Sequence, residues 1–122
     1  MRIHEHTKRV IRIINLEELA TDKKHYIGCF PNGYFIGAVK VLTKEASETT
    51  GVLAVIKDKN NKELICDIDC AVKNNLTELS VYDVMEETKH LYISIKQGTP
   101  TKGKLVVSYD LVSNQSSVYE FA

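Results

Sequence analysis

Histidine and cysteine are the side chains here most able to bind a metal or act as a nucleophile. His4-Glu5-His6 sets two imidazoles on one face of an extended segment. A zinc site needs at least a third ligand, and the H-E-x-x-H pattern of metalloproteases separates its histidines by a helical turn. The segment therefore reads as a solvated N-terminal arm. Cys66, Asp67, Asp69 and Cys70 form the second grouping. In a regular strand, Cys66 and Cys70 fall on the apolar face on either side of Ile68, and both aspartates face away. Zinc knuckles pair cysteines across a tight turn, so these thiols read as small buried hydrophobes. Asp67 and Asp69 have no apolar surroundings to raise one carboxyl pKa, as an acid–base pair requires.

The hydroxyl and glycine candidates carry less. Ser80, Ser94 and Ser108 lie within strands and lack a G-x-S-x-G elbow. Gly98 and Gly103 flank a Thr/Pro/Lys loop without the spacing of a phosphate cradle. Gly28, Gly33 and Gly37 read as turn and strand glycines, because no helix follows them. The expectation is a chain without a catalytic centre, metal or cofactor. Tyr26, Phe30, Tyr34 and Phe35 gather around Pro31-Asn32-Gly33. Packing around the turn is the favoured reading, and a sugar-stacking or protein-contact tip is the alternative.

The elements that position these residues are strands. Val10, Arg12 and Ile14 alternate with Ile11, Ile13 and Asn15, and one short helical turn fits between Asn15 and Lys24. Residues 25–30 and 34–42 are strands joined by Pro-Asn-Gly, whose Asn-Gly step takes positive φ cheaply. Gly51 to Lys57, a polar stretch from Asp58 to Glu63, and Leu64 to Ala71 make the clearest hairpin. A short strand fits Leu79 to Val84, followed by His90–Lys96 and Lys104–Val112, with Val118-Tyr119-Glu120-Phe121 as a last extended piece. The predicted core is Ile36, Val39, Val41, Leu53, Val55, Leu64, Cys66, Ile68, Leu91, Ile93, Ile95, Leu105 and Val107. Seven or eight short strands, with no helix long enough for a parallel crossover, predict an all-β fold: an antiparallel two-layer β-sandwich, jelly-roll-like.

Length and charge limit the partners. The 122 residues suit one domain, with a possible arm at 1–8 and a tail at 118–122. Sixteen basic and sixteen acidic residues are interspersed, which disfavours a nucleic-acid partner and a strongly anionic membrane. MRIHEHTKRVIRIINLEELA has no apolar run of about 7–15 residues after its basic residues, so it does not read as a signal peptide. No run approaches the roughly 18 apolar residues of a membrane helix. Three cysteines are an odd number and predict a chain made in a reducing compartment.

The stretch from Ile27 to Val41, IGCFPNGYFIGAVKV, resembles β-sandwich virion proteins of tailed bacteriophages, with glycine, hydrophobe, proline and glycine leading into a long alternating strand. Leu91–Ile95 followed by Gly98–Tyr109 is similar to the closing strand, threonine- and glycine-containing turn and tyrosine-ended strand of those proteins, and Thr50–Val55 to their central hairpin. Asn74 to Glu87 is more polar than that pattern. The resemblance implies a non-enzymatic structural component, such as a head decoration, auxiliary capsid, neck or tail protein. It would assemble in the bacterial host cytoplasm and reside in the virion, contacting other virion proteins or copies of itself. Candidate contact residues are Ile3, His4, His6, Tyr34, Val118, Tyr119 and Phe121. The second reading is a carbohydrate- or peptide-binding module using the aromatics near Pro31. Either way, chelator is expected to leave the melting temperature unchanged; a clear drop would reinstate a site at Cys66/Cys70 or His4/His6.

Overall fold

The computed structural model describes residues 7–113. Eight strands follow in order: β1 (Thr7–Asn15), β2 (His25–Phe30), β3 (Tyr34–Glu45), β4 (Leu53–Lys57), β5 (Glu63–Asp69), β6 (Leu76–Val84), β7 (Lys89–Gln97) and β8 (Lys104–Ser113). They form two four-stranded antiparallel sheets, ordered β1-β8-β3-β6 and β2-β7-β4-β5. Strands β1 and β8, β2 and β7, β3 and β6, and β4 and β5 are each ladder partners. The chain is thus one long antiparallel ribbon, folded at the β4–β5 turn and rolled so that successive pairs alternate between sheets. That is the jelly roll, and the expected all-β sandwich is correct.

The turn chemistry follows the local sequence. Asp58 Oδ1 accepts hydrogen bonds from the backbone N–H groups of Asn60 and Lys62 at 2.8 and 2.9 Å, organising the tip of the ribbon. These amides hold the Asp58 carboxyl below its ordinary range. The possible helical turn is a three-residue 3-10 segment, Leu16–Glu18. Leu16 is fully buried, and its N–H donates to the Gly103 carbonyl at 3.0 Å. A Cβ at Gly103 would lie 2.7 Å from Leu16 Cδ1 and 2.8 Å from the Glu45 carbonyl oxygen. The glycine of that loop therefore makes room for the residue that closes one end of the core.

The core lies between the sheets. Ile36, Val39, Val41, Ile68, Leu91, Ile93, Ile95, Leu105 and Val107 sit in it as expected from alternation. Four expected core residues do not hold those positions. Ala54 and Ile56 join the buried cluster, whereas Leu53 is half-buried and Val55, though buried, lies outside it. LAVIK is apolar at both parities, so its phase is set by pairing: Ala54 sits opposite Ile68 and Ile56 opposite Ile65. Two residues of β4 thus span three of β5, a β-bulge. It places Asp67 at φ 59°, a conformation aspartate tolerates better than most residues. Past the bulge the parity inverts: Ile65 is buried, Cys66 is exposed, and Leu64 only packs against the core. Cys66 and Cys70 therefore do not share a face, contrary to the regular-strand expectation.

Two pairs of side chains report on this register. Ile65→Asp and Ile68→Asp should each abolish cooperative folding, because an unpaired charge enters an apolar layer. Cys66→Asp should shift the thermal midpoint little, and Asp67→Ala should cost only a modest amount through its positive φ. Equal effects at 65 and 66 would mean that the bulge is misplaced. The thiols give an independent check. Burial pushes the Cys70 thiol up to about 12. A hydrogen bond with Glu63 and partial desolvation also raise Cys66, which remains exposed. Iodoacetamide on the native protein should modify Cys66 slowly at neutral pH and faster at alkaline pH, and Cys70 only after unfolding. Native labelling of Cys70 at the rate of Cys66 would contradict the assigned faces.

Candidate assembly surfaces

The sequence-level contact candidates separate once the fold is in place. Ile3, His4, His6, Val118, Tyr119 and Phe121 lie outside the described residues. Thr7 and Lys8, assigned by sequence to the arm, belong to β1 and pair with Val112 and Leu111. Tyr34 is half-buried against the core, and its N–H closes the Pro31 turn at 3.2 Å. The other aromatics of that turn diverge. Phe30 is buried edge-on to Tyr109, Phe35 meets Tyr82 on the first sheet's outer face, and Tyr26 meets Tyr92 on the second sheet's outer face. The four rings form no common platform. Among the described residues, no group of three or more His, Cys, Asp or Glu side chains stands close enough to hold a metal.

The outer face of the first sheet, β1-β8-β3-β6, is unusual for its apolar content. Ile13 pairs with Val106, Val106 with Leu42, and Leu42 with Leu76. Their neighbours Ile14, Leu105, Val107 and Val41 are buried, so the four paired residues face outward in one row across all four strands. Ile13 is 66% exposed and Leu76 55%. On one side of the row, Lys104 stands 4.0 Å from Glu45. On the other side a mixed row runs Ile11, 56% exposed, then Ser108, Lys40 and Glu78 in register, and beyond it Arg9 stands 2.9 Å from Asp110. Outer faces of antiparallel sheets are ordinarily polar. Ile11 and Ile13 were visible in the sequence as a second apolar parity of β1. Leu42, Leu76 and Val106 become their neighbours only through pairing.

The outer face of the second sheet carries a different chemistry. Tyr26, 55% exposed, packs edge-on against Tyr92 with centroids 5.5 Å apart, and its hydroxyl is 3.1 Å from His90 Nδ1. Lys24 Nζ lies 4.8 Å from the centre of the Tyr92 ring, a cation–π distance. Further across, Lys96 bridges Asp67 at 2.8 Å and Glu63 at 3.9 Å, and the Asp67 carboxylate holds the Lys96 ammonium above its usual range. A depression of about 590 Å³ beside this face is lined by Lys23, Lys24, Lys57 and Ser94, among others. These groups can make polar and stacking contacts with another molecule.

Comparison with known proteins adds a structural likeness and no sequence relative. No family model matches the chain, and no curated protein matches it by sequence. Among solved structures, the fold is similar to a chain in the structure described as "Cyanophage Pam1 capsid asymmetric unit", with a TM-score of 0.67 and 12% sequence identity. The match covers 89% of this chain and 86% of that one, so the two share the fold over most of their lengths.

Proposed function

We propose that this chain is a non-enzymatic structural component of a tailed-phage particle, working through contacts with other particle proteins or with copies of itself. The carrying observation is the near-complete overlap with a chain of similar length from a cyanophage capsid. It favours a capsid-associated position over a neck or tail one. The jelly roll suits such a role physically: two stacked sheets make a stiff body whose outer faces and loops are free to dock. Both outer faces offer mixed polar and apolar contact surface, the kind that makes specific interfaces.

A carbohydrate- or peptide-binding module is the second reading, and the Tyr26–Tyr92 pair is the observation that favours it. Stacking on exposed tyrosine would bring such a ligand to the second sheet, away from the turn at Pro31. Glycan-array binding that disappears in Tyr26→Ala would select that reading.

The particle role has a direct test. Tagged chain should co-sediment with a large assembly, and mass spectrometry of the purified assembly should find it at fixed stoichiometry with other virion proteins. Recovery of the chain only as free protein, with no particle component in the same fractions, would rule the role out.

A further inference from the structure

The row Ile13–Val106–Leu42–Leu76 lies on a sheet face that carries no other layer among the described residues. We propose that this face docks on the same face of a second copy of the chain, forming a two-fold dimer with β1 of each copy over β6 of the other. This deepens the assembly role proposed above by naming a surface and a partner.

Two rows of this face, the apolar one and the row of Lys104 and Glu45, are each complementary to themselves. A two-fold axis parallel to the strands, running between β8 and β3, reverses the strand order and leaves each row opposite its own kind. Ile13 then meets Leu76 of the second copy, and Val106 meets Leu42, so the apolar row is covered along its whole width. In the flanking row the same operation sets Lys104 against Glu45 of the second copy. That pair is 4.0 Å apart within one chain, a loose exposed contact that can be exchanged between chains. Arg9, Lys40, Lys44 and Lys104 on this face are interspersed with Glu45, Glu78 and Asp110. A second copy therefore meets charges of both signs at short range and not a surface of one sign.

The packing geometry agrees. An axis along the strands keeps the strands of the two facing sheets close to parallel, the alignment in which twisted sheets stack face to face. Four strands about 4.8 Å apart and about 30 Å long offer roughly 600 Å² per copy. That is somewhat below the roughly 800 Å² per partner of a standard interface. The contact is accordingly reversible in solution and is strengthened wherever an assembly concentrates the chain.

Sedimentation velocity on the purified full chain tests this without any particle, so its outcome is separate from that of the co-sedimentation experiment. A monomer–dimer equilibrium is expected at concentrations up to about 0.5 mM. Ile13→Lys and Leu76→Glu should each weaken dimerisation by about tenfold or more, with thermal melts unchanged because both positions are exposed. The double variant Ile13→Lys/Leu76→Glu should dimerise more tightly than either single one, since the new lysine of each copy faces the new glutamate of the other. A chain that stays monomeric throughout the range overturns the proposal, as does a dimer indifferent to both single substitutions. Loss in the single variants without recovery in the double one overturns the two-fold arrangement.

Discussion

Two carbonyls of one edge strand tie the sheets together at one open side of the sandwich. Strand β2 pairs only with β7, and a bulge at Ile27 breaks its register between Tyr26 and Gly28. The Ile27 carbonyl accepts a hydrogen bond from Arg12 Nε at 3.1 Å, and the Cys29 carbonyl accepts one from the Tyr109 hydroxyl at 3.0 Å. Arg12 and Tyr109 belong to the opposite sheet. A single bond of this kind is worth about 1 kcal/mol net, but its geometric consequence is larger: it fixes where one sheet edge lies over the other. Gly28 makes the approach possible, at φ 153° and with a Cβ that would stand 2.6 Å from the Tyr109 oxygen. Burial raises the Tyr109 hydroxyl above its usual range, so it remains a donor throughout the physiological pH range.

The opposite side is closed by a different device. Thr43, fully buried on β3, donates its hydroxyl to the Asp69 carbonyl at the end of β5 at 2.9 Å. Its backbone N–H donates to the Asn75 carbonyl, and its carbonyl accepts from the Asn74 N–H, at 2.9 and 2.8 Å. One residue thus anchors the connection that carries the chain from the second sheet back to the first. With both sides tied, the sandwich positions its outer faces as fixed surfaces. On the first sheet this holds an apolar row between a charged row and a mixed one; on the second it holds tyrosines, a histidine and lysines together.

Those surfaces give the fold its functional meaning. The ion pairs among the described residues lie at the surface: Arg9 with Asp110, Lys96 with Asp67 and Glu63, and Lys104 with Glu45. Exposed pairs contribute little to stability, but they orient charges that another molecule can meet. A rigid body with patterned faces is the physical basis of the assembly role proposed above.

Much of this architecture was legible in the residues. Leu91, Ile93 and Ile95 alternate without interruption, as do Leu105, Val107 and Tyr109, and all six are buried where a period of two places them. The polar stretch around Asp58 marked the β4–β5 hairpin because its side chain and the Asn61 backbone are built for a turn. The polarity of residues 74–87 made that segment look least like a strand, and its position explains why: β6 is an edge strand, with one neighbour and little to bury. What alternation could not decide was phase and partnership. LAVIK is apolar at every second residue on either parity, and one extra residue in β5 moved Cys66 from the expected core to the surface. The row from Ile13 to Leu76 joins strand neighbours 34 to 93 positions apart, each unremarkable on its own strand. A strand specifies by itself which side chains share a face; only pairing in the folded sheet specifies which of them become neighbours.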